Sequence, residues 1–370
     1  MSRQKHNRII ISGGGTGGHI YPAISIANAL REIDPEIDIL FVGAEGRMEM
    51  DRIPAAGYDI VGLPVAGFNR KMLLKNFSVL IKLFKSLSLA KRILRDFKPD
   101  VVVGVGGYAS GPVLRQAGKL GIPLVIQEQN SYAGITNKLI AKKASVICVA
   151  YDGMEKYFPS ERIVKTGNPV RQNFDNINDL KKEALSFFNL SGNYPVILIL
   201  GGSLGAGSIN SSLSENIQTL IDSDCQWIWQ SGKYYYEDVI ALVSVTSAKN
   251  IAVQGFINRM DLAFAAADVI VSRAGAGTIS ELCLVGKPVI LVPSPNVAED
   301  HQTKNALALV EKSAAILVPD NQAVERLVAE ALLLVSDVEK RKILSANIVS
   351  LAERDADIRI AKEIIKLIRE

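Results

Sequence analysis

Cysteine is scarce in this chain of 370 residues. Cys148, Cys225 and Cys283 are odd in number, far apart and without CxxC spacing, which excludes a disulfide framework, makes a zinc site a poor expectation and points to a reducing compartment. An excess of one charge is missing as well: a net charge of +4 is too slight to argue for a nucleic-acid partner. No apolar signal region is expected, because MSRQKHNR leads straight into the first strand, and no uninterrupted apolar run is long enough to span a bilayer. The expectation is a soluble or peripheral protein. Nor is there a long low-complexity tract; with 48% hydrophobic and 22% charged residues the chain is globular, and its length suits two domains of ordinary size.

What is present is organised around Ile9 to Pro22, IIISGGGTGGHIYP. The β-branched run Ile9 to Ile11 reads as a buried parallel strand, stopped by Ser12 and the glycines Gly13, Gly14, Gly15, Gly17 and Gly18. Beyond Pro22, residues Ile24, Ile26, Ala27 and Leu30 recur at helical spacing. The reading is strand, glycine turn, helix, with amides that can approach an anion or a sugar. Gly13, Gly15 and Gly18 fit GxGxxG, but a nicotinamide fingerprint also wants an acid closing the second strand. That strand, Ile37 to Val42, has Asp38 at its beginning and runs out through Gly43, Ala44 and Glu45, a poor fit to a dinucleotide. His19 instead puts an ionisable ring directly after the glycines.

Further strands are expected at Val101 to Val105, Leu124 to Gln127 and Val146 to Val149, each followed by small residues and a helix. This is the pattern of an open parallel sheet with helices on both faces. The rhythm breaks at TGNPVRQN, which places a domain boundary just after Arg171, near residue 172. It then starts again at Val196 to Leu200, Trp227 to Gln230, Ile251 to Val253, Val269 to Val271 and Val289 to Val292. A final helix from about 350 to 370 is expected to cross back onto the first domain. Open parallel sheets bind ligands at the carboxyl ends of their strands, so two facing sheets put glycine loops on either side of one cleft.

In the second half, Gly201, Gly202, Ser203, Gly205 and Gly207 open one helix, and Ala274 to Thr278 open another that carries Glu281. Free amides at two helix starts suit a diphosphate, and no lysine follows the glycines as in a nucleoside triphosphatase. A carboxylate one turn into the second helix can accept from ribose hydroxyls; the alternative is a first-turn acid favoured by the helix dipole.

The stretches GGGTGGHIYPA, GVGGYASGP, QEQNSYAGITNK, TGNPVR, GGSLGA, RAGAGTISE and EDHQTKNA fall in the order and approximate spacing of the MurG family, and the chain resembles it from about residue 7 to 370. The resemblance implies an α/β protein of the GT-B fold, two Rossmann-like domains with parallel sheets facing a central cleft. It implies transfer of N-acetylglucosamine from UDP-GlcNAc, with inversion, to the C4 hydroxyl of the muramyl sugar in lipid I, giving lipid II for peptidoglycan synthesis. No cofactor is implied, and the partners are the two substrates, an anionic membrane surface and other cell-wall synthesis proteins. Carried over by position, donor contacts fall on Thr16, Gly17, Gly18, Asn130, Arg171, Ser203, Ile257, Ala276, Gly277, Thr278, Ile279, Ser280, Glu281 and Gln302. Uracil would lie against the backbone near Ile257, ribose on Glu281, phosphates on the loops at Ser203 and Ala276, and sugar hydroxyls near Gln302 and Asn130. The chain departs from the usual family residues at Leu204, Gly277 and His301.

The chemistry has its own requirements. Inverting transfer needs a base for the acceptor hydroxyl and stabilisation of the departing UDP. Of three histidines, His6 lies near the N-terminus and His301 in the donor half, which leaves His19. A helix N-terminus disfavours the imidazolium, so a neutral, proton-accepting His19 is expected; the alternative is a ring that only holds substrate or loop. No DxD follows a strand, so a metal-bridged diphosphate is not indicated. Finally, Phe68 to Arg95 sets Leu73, Phe77, Leu80, Ile81, Phe84 and Leu87 at helical spacing among Arg70, Lys71, Lys75, Lys82, Lys85, Lys91, Arg92 and Arg95, without an acid. Such a segment either packs on a core with a solvated basic back or lies on anionic lipid; a lipid-borne acceptor favours the second, on the cytoplasmic face of the membrane. Two other functions stay open on the residues alone: a dinucleotide oxidoreductase, and an inverting transferase with a different acceptor.

Overall fold

The computed structural model describes residues 6–65, 76–170, 174, 177–297 and 300–369. Its contacts divide the chain into two units, Met1–Val170 with Glu353–Glu370, and Arg171–Ala352.

The first unit is built on a seven-stranded parallel sheet in the order β3-β2-β1-β4-β5-β6-β7. The strands are β1 (Arg8–Ser12), β2 (Asp38–Ala44), β3 (Asp59–Leu63), β4 (Val101–Gly104), β5 (Leu124–Glu128), β6 (Val146–Val149) and β7 (Ile163–Lys165). Alternation sorts the side chains onto two faces. Ile9, Ile11, Phe41, Val101 and Val103 pack with Ile26 and Leu30 of the Gly17–Ile33 helix and with Ile360 and Ile364 of the Ala356–Arg369 helix. Ile10, Val42, Val102, Leu124 and Ile126 pack on the other face with Ile93, Leu94, Val113 and Leu114. Each such aliphatic side chain contributes about 1.5–3 kcal/mol by leaving water.

The second unit repeats the plan with six parallel strands in the order β10-β9-β8-β11-β12-β13. These are β8 (Val196–Leu200), β9 (Gln226–Gln230), β10 (Ile251–Gln254), β11 (Val269–Ser272), β12 (Val289–Leu291) and β13 (Ile316–Leu317). Trp227 and Trp229, fully buried, anchor one face with Ile197, Ile199, Val269 and Val271. In both sheets the order reverses beside the first strand, between β1 and β4 and between β8 and β11, and the crevice at such a reversal is where open α/β sheets take ligands.

Three strands, β3, β7 and β13, have no counterpart in the sequence reading. All lie outermost or next to an edge of a sheet and are half-buried or exposed along much of their length, so they carry no uninterrupted apolar run. The helix placed from about residue 350 begins at Ala356, because the preceding helix continues to Ser350 and Asp355 takes a left-handed conformation at φ 54°. The first helix starts at Gly17, so Pro22 lies inside it and His19 belongs to its first turn. Among the described residues no helix is long and apolar enough to cross a membrane.

Candidate active site

In the first unit the loop after β1 meets the loop after β4 backbone to backbone. A Cβ on Gly107, at φ 87°, would lie 2.3 Å from the carbonyl oxygen of Gly14, and one on Gly106, at φ 94°, would lie 2.8 Å from His19 Cδ2 and 2.9 Å from Nε2. Only glycine allows this approach. The imidazole therefore rests on the Gly106 backbone, while its Nδ1 is 3.3 Å from the Thr16 hydroxyl. Thr16 caps the helix in extended conformation, and its carbonyl accepts from the amides of His19 (3.1 Å) and Ile20 (3.2 Å). The first turn so formed, with Gly17 and Gly18, holds no acid.

One amide of this loop is already taken by a carboxylate. Glu49, buried at 1% exposure, accepts from the Gly15 amide at 2.9 Å and from the Ala44 amide at 3.0 Å. A carboxylate already seated on the glycine turn repels a second anion there. The GxGxxG match therefore does not carry a dinucleotide.

The loop after β5 is organised by another buried carboxylate. Glu128 accepts from the Gly134 amide (2.9 Å), Asn137 Nδ2 (2.9 Å), and the amide and side chain of Asn130 (3.1 and 3.3 Å). Burial pushes its carboxyl above the ordinary range, and those donors oppose the shift. Asn130 is thus fixed by Glu128 at the carboxyl end of the sheet.

In the second unit the loops after β8 and β9 interlock. A Cβ on Gly232 would meet the Gly205 amide nitrogen at 2.0 Å, and the Ser203 carbonyl accepts from the Lys233 amide at 3.0 Å. Asn210 ties the Gly207–Glu215 helix to this loop, donating to the Ser231 carbonyl and accepting from Trp229 Nε1, both at 2.9 Å. Ser203 itself is exposed. The second helix runs from Ala276 to Val285 behind Gly275, and neither helix has an acid in its first turn. The first amides there have no acceptor within their own helix, and neither first turn carries an acid of its own, unlike the Gly15 loop with Glu49; Asp320, at the start of the Gly207–Glu215 helix, is taken by Ser208 and Arg273. Glu281 lies beyond the first turn and is half-buried, which removes the reading of it as a helix-start acid.

Gly277, Thr278 and Ser280 are half-buried in the same turns, whereas the Ile279 side chain is core, at 2% exposure. Ile257, 3% exposed after β10, has only its backbone to offer a ligand. Gln302, in the helix after β12, accepts from the Ser294 amide at 2.9 Å and so shapes that loop. Thr16, Gly17, Gly18, His19 and Asn130 thus stand at the carboxyl end of the first sheet, and Ser203, Ile257, Ala276 to Glu281 and Gln302 at that of the second. Arg171 lies outside the described residues.

Arg273 was quoted in the sequence only as the first residue of RAGAGTISE, with no role given to it. Directly after β11, its guanidinium donates to the carbonyls of Val292 (3.0 Å) and Pro293 (3.3 Å), to Ser208 Oγ (3.0 Å) and to Asp320, stitching together the loops after β11, β12 and β13 and the start of the Gly207–Glu215 helix. A lone arginine between a strand and a glycine loop was the only signal. Among the described residues no group of three or more His, Cys, Asp or Glu side chains is arranged to hold a metal ion.

Two Rossmann-ordered sheets, one with a histidine at its glycine loop and one with paired, acid-free helix starts, define a glycosyltransferase of the GT-B fold. Residues 9–149 match the glycosyltransferase family 28 N-terminal domain and residues 196–360 its C-terminal domain. A relative from Parabacteroides distasonis is 59% identical over 98% of both chains, and one from Cytophaga hutchinsonii is 52% identical over 100% of this chain and 99% of its own. Both are named UDP-N-acetylglucosamine–N-acetylmuramyl-(pentapeptide) pyrophosphoryl-undecaprenol N-acetylglucosamine transferase. The crystal structure of Acinetobacter baumannii MurG covers 97% of this chain and 99% of its own with a TM-score of 0.79 at 27% identity. The glycosyltransferase of kitacinnamycin, at 16% identity and a TM-score of 0.73, shares the fold. The chain belongs to the MurG family of N-acetylglucosamine transferases.

Proposed function

We propose that this chain moves N-acetylglucosamine from UDP-GlcNAc to the C4 hydroxyl of the muramyl sugar in lipid I, with inversion, to give lipid II. The observation that carries the reading is near-full-length identity to transferases of that name, and the opposite electrostatics of the two glycine loops supports it. The first unit takes the acceptor, and the second takes the sugar nucleotide.

In this reading the helix starts at Gly207 and Ala276 bind the diphosphate through backbone amides and stabilise the charge that develops on departing UDP. Glu281 accepts from the ribose hydroxyls, the Ile257 backbone reads uracil, and Gln302 and Asn130 hold the sugar hydroxyls. His19 takes the proton from the attacking hydroxyl. Thr16, Gly17 and Gly18 line its loop, and Arg171 and Ser203 complete the donor contacts.

The acceptor's lipid chain places the first unit at a membrane, as a peripheral protein on its cytoplasmic face. Phe68 to Lys75 lie outside the described residues, but the Asn76–Phe97 helix exposes Ile81 and Phe84, at 46% and 71%, beside Lys82 and Lys85. The short Ile135–Ile140 helix likewise exposes Ile135 and Leu139, with Lys142 and Lys143 following it. Exposed apolar side chains among cations favour anionic lipid over the core-facing alternative, which the same helix satisfies further on with Ala90, Ile93 and Leu94.

The test is incubation with labelled UDP-GlcNAc and a lipid I analogue. Label is expected in the lipid product only when both are present, and folded protein that binds UDP but transfers nothing to the analogue overturns the reading.

A further inference from the structure

Beneath the loop that seats His19, the side chains of Gln127, Gln129 and Asn168 are buried, at 0, 3 and 2% exposure. An amide out of water costs stability unless it is hydrogen-bonded, and here the three bond in sequence. Gln129 Nε2 donates to Gln127 Oε1. Gln127 Nε2 donates to Asn168 Oδ1 at 3.0 Å, and Asn168 Nδ2 donates to the backbone carbonyl of Gln129, also at 3.0 Å. The ring is closed and has one sense, because turning any of the three amides sets donor against donor or acceptor against acceptor.

One bond leads from the ring toward the loop after β4. Gln129 Nε2 also donates to the carbonyl of Val105 at 2.7 Å. Val105 is held on its other side, where its amide donates to the Ser12 carbonyl at 2.9 Å. The fixed carbonyl belongs to the peptide that leads into Gly106, the residue whose Cα bears on the imidazole of His19. Gln129 Oε1 lies on the same side, 3.9 Å from the Cβ position of Gly106. Thr16 touches the ring at Nδ1, so the imidazole is held between that hydroxyl and a peptide whose orientation the amides set.

We infer that Gln129 and Asn168 are positioning residues for His19, acting through the Val105–Gly106 peptide rather than by touching substrate. The inference rests on the reading of His19 as the base. It explains why polar side chains, rather than aliphatic ones, fill this part of the first unit: packing alone does not fix the plane of one peptide, and a directional ring does.

The experiment measures kcat, KM for UDP-GlcNAc and the pH profile of kcat for Gln129→Met, alone and combined with His19→Ala, with kcat counted per UDP-binding site. A misplaced base is expected to lower kcat by roughly 10- to 100-fold, with an altered pH profile and an unchanged donor KM. In the His19→Ala background the same change is expected to cost nothing further, since the group it positions is gone. Equal losses in both backgrounds overturn the inference, as does a raised donor KM at parental kcat. Should Gln129→Met fold poorly, Asn168→Asp, which keeps the acceptor for Gln127 and loses the donor to Gln129, is read the same way; fewer folded molecules with parental kcat per site also overturn it. His19→Ala at parental turnover removes instead the base assignment on which the inference rests.

Discussion

The carboxylate of Glu49 sits on the backbone amide of Gly15 at 2.9 Å, and its second oxygen takes the amide of Ala44 at 3.0 Å. Glutamine offers one acceptor and turns an amine toward the other N–H. Glu49→Gln is therefore expected to cost roughly 1.5–3 kcal/mol of stability, as for other buried charge-assisted hydrogen bonds. Denaturant unfolding reads it directly. A midpoint equal to that of the parent means that the glycine turn holds its shape without the carboxylate.

Donor binding has a comparable test in the second unit. Glu281→Ala is expected to weaken UDP binding by roughly 1–3 kcal/mol through lost ribose contacts. Titration calorimetry against UDP measures it, and unchanged affinity places the ribose elsewhere.

Most strands that were legible in the sequence are buried on both faces; the half-buried edge strand β10 is the exception. Ile9 to Ile11 and Val196 to Leu200 are continuous apolar runs because each strand has a neighbour on either side and helices above and below. β7 and β13 were not legible, because an edge strand needs less apolar surface, and β13 is only two residues long. The glycines of the site were visible as glycines, but their reasons are long-range. Gly14 makes room for Glu49, Gly106 for His19 and Gly232 for Gly205, and no local pattern encodes those partners. The same holds for Arg273, whose four bonding partners come from segments distant in sequence. Glu281, by contrast, was singled out from its spacing after the glycine loop; its place beyond the first turn needed the observed helix start at Ala276.

The proposed membrane binding rests on two terms that separate experimentally. The Ile81→Ser, Phe84→Ser double variant is expected to sediment less with vesicles containing anionic lipid while keeping its thermal stability, since both side chains are exposed. High salt is expected to release the parent protein as the charge attraction is screened. Undiminished sedimentation of the double variant moves the membrane face to another part of the first unit.

Burial pushes the thiols of Cys148 and Cys283 up to about 12, with the charge of Glu363 adding to the effect at Cys148. The thiolate is the nucleophile, so alkylation of the folded protein at about pH 8 is expected to spare both until denaturant is added. The sign for stability follows: above the ordinary thiol value of 9.0 the unfolded chain releases protons that the folded one retains, and stability falls as pH rises through that window. Rapid alkylation without denaturant contradicts the burial.

The proposed reaction is direct attack by the muramyl hydroxyl, deprotonated by His19, on the sugar of an α-linked donor. The most direct measurement is the anomeric configuration of the new linkage, read from the proton coupling in the disaccharide product, together with the turnover of His19→Ala. A β-linkage is expected, with a loss of roughly 100-fold or more in kcat and UDP affinity close to that of the parent. An α-linked product, or a His19→Ala protein that turns over at the parental rate, contradicts it.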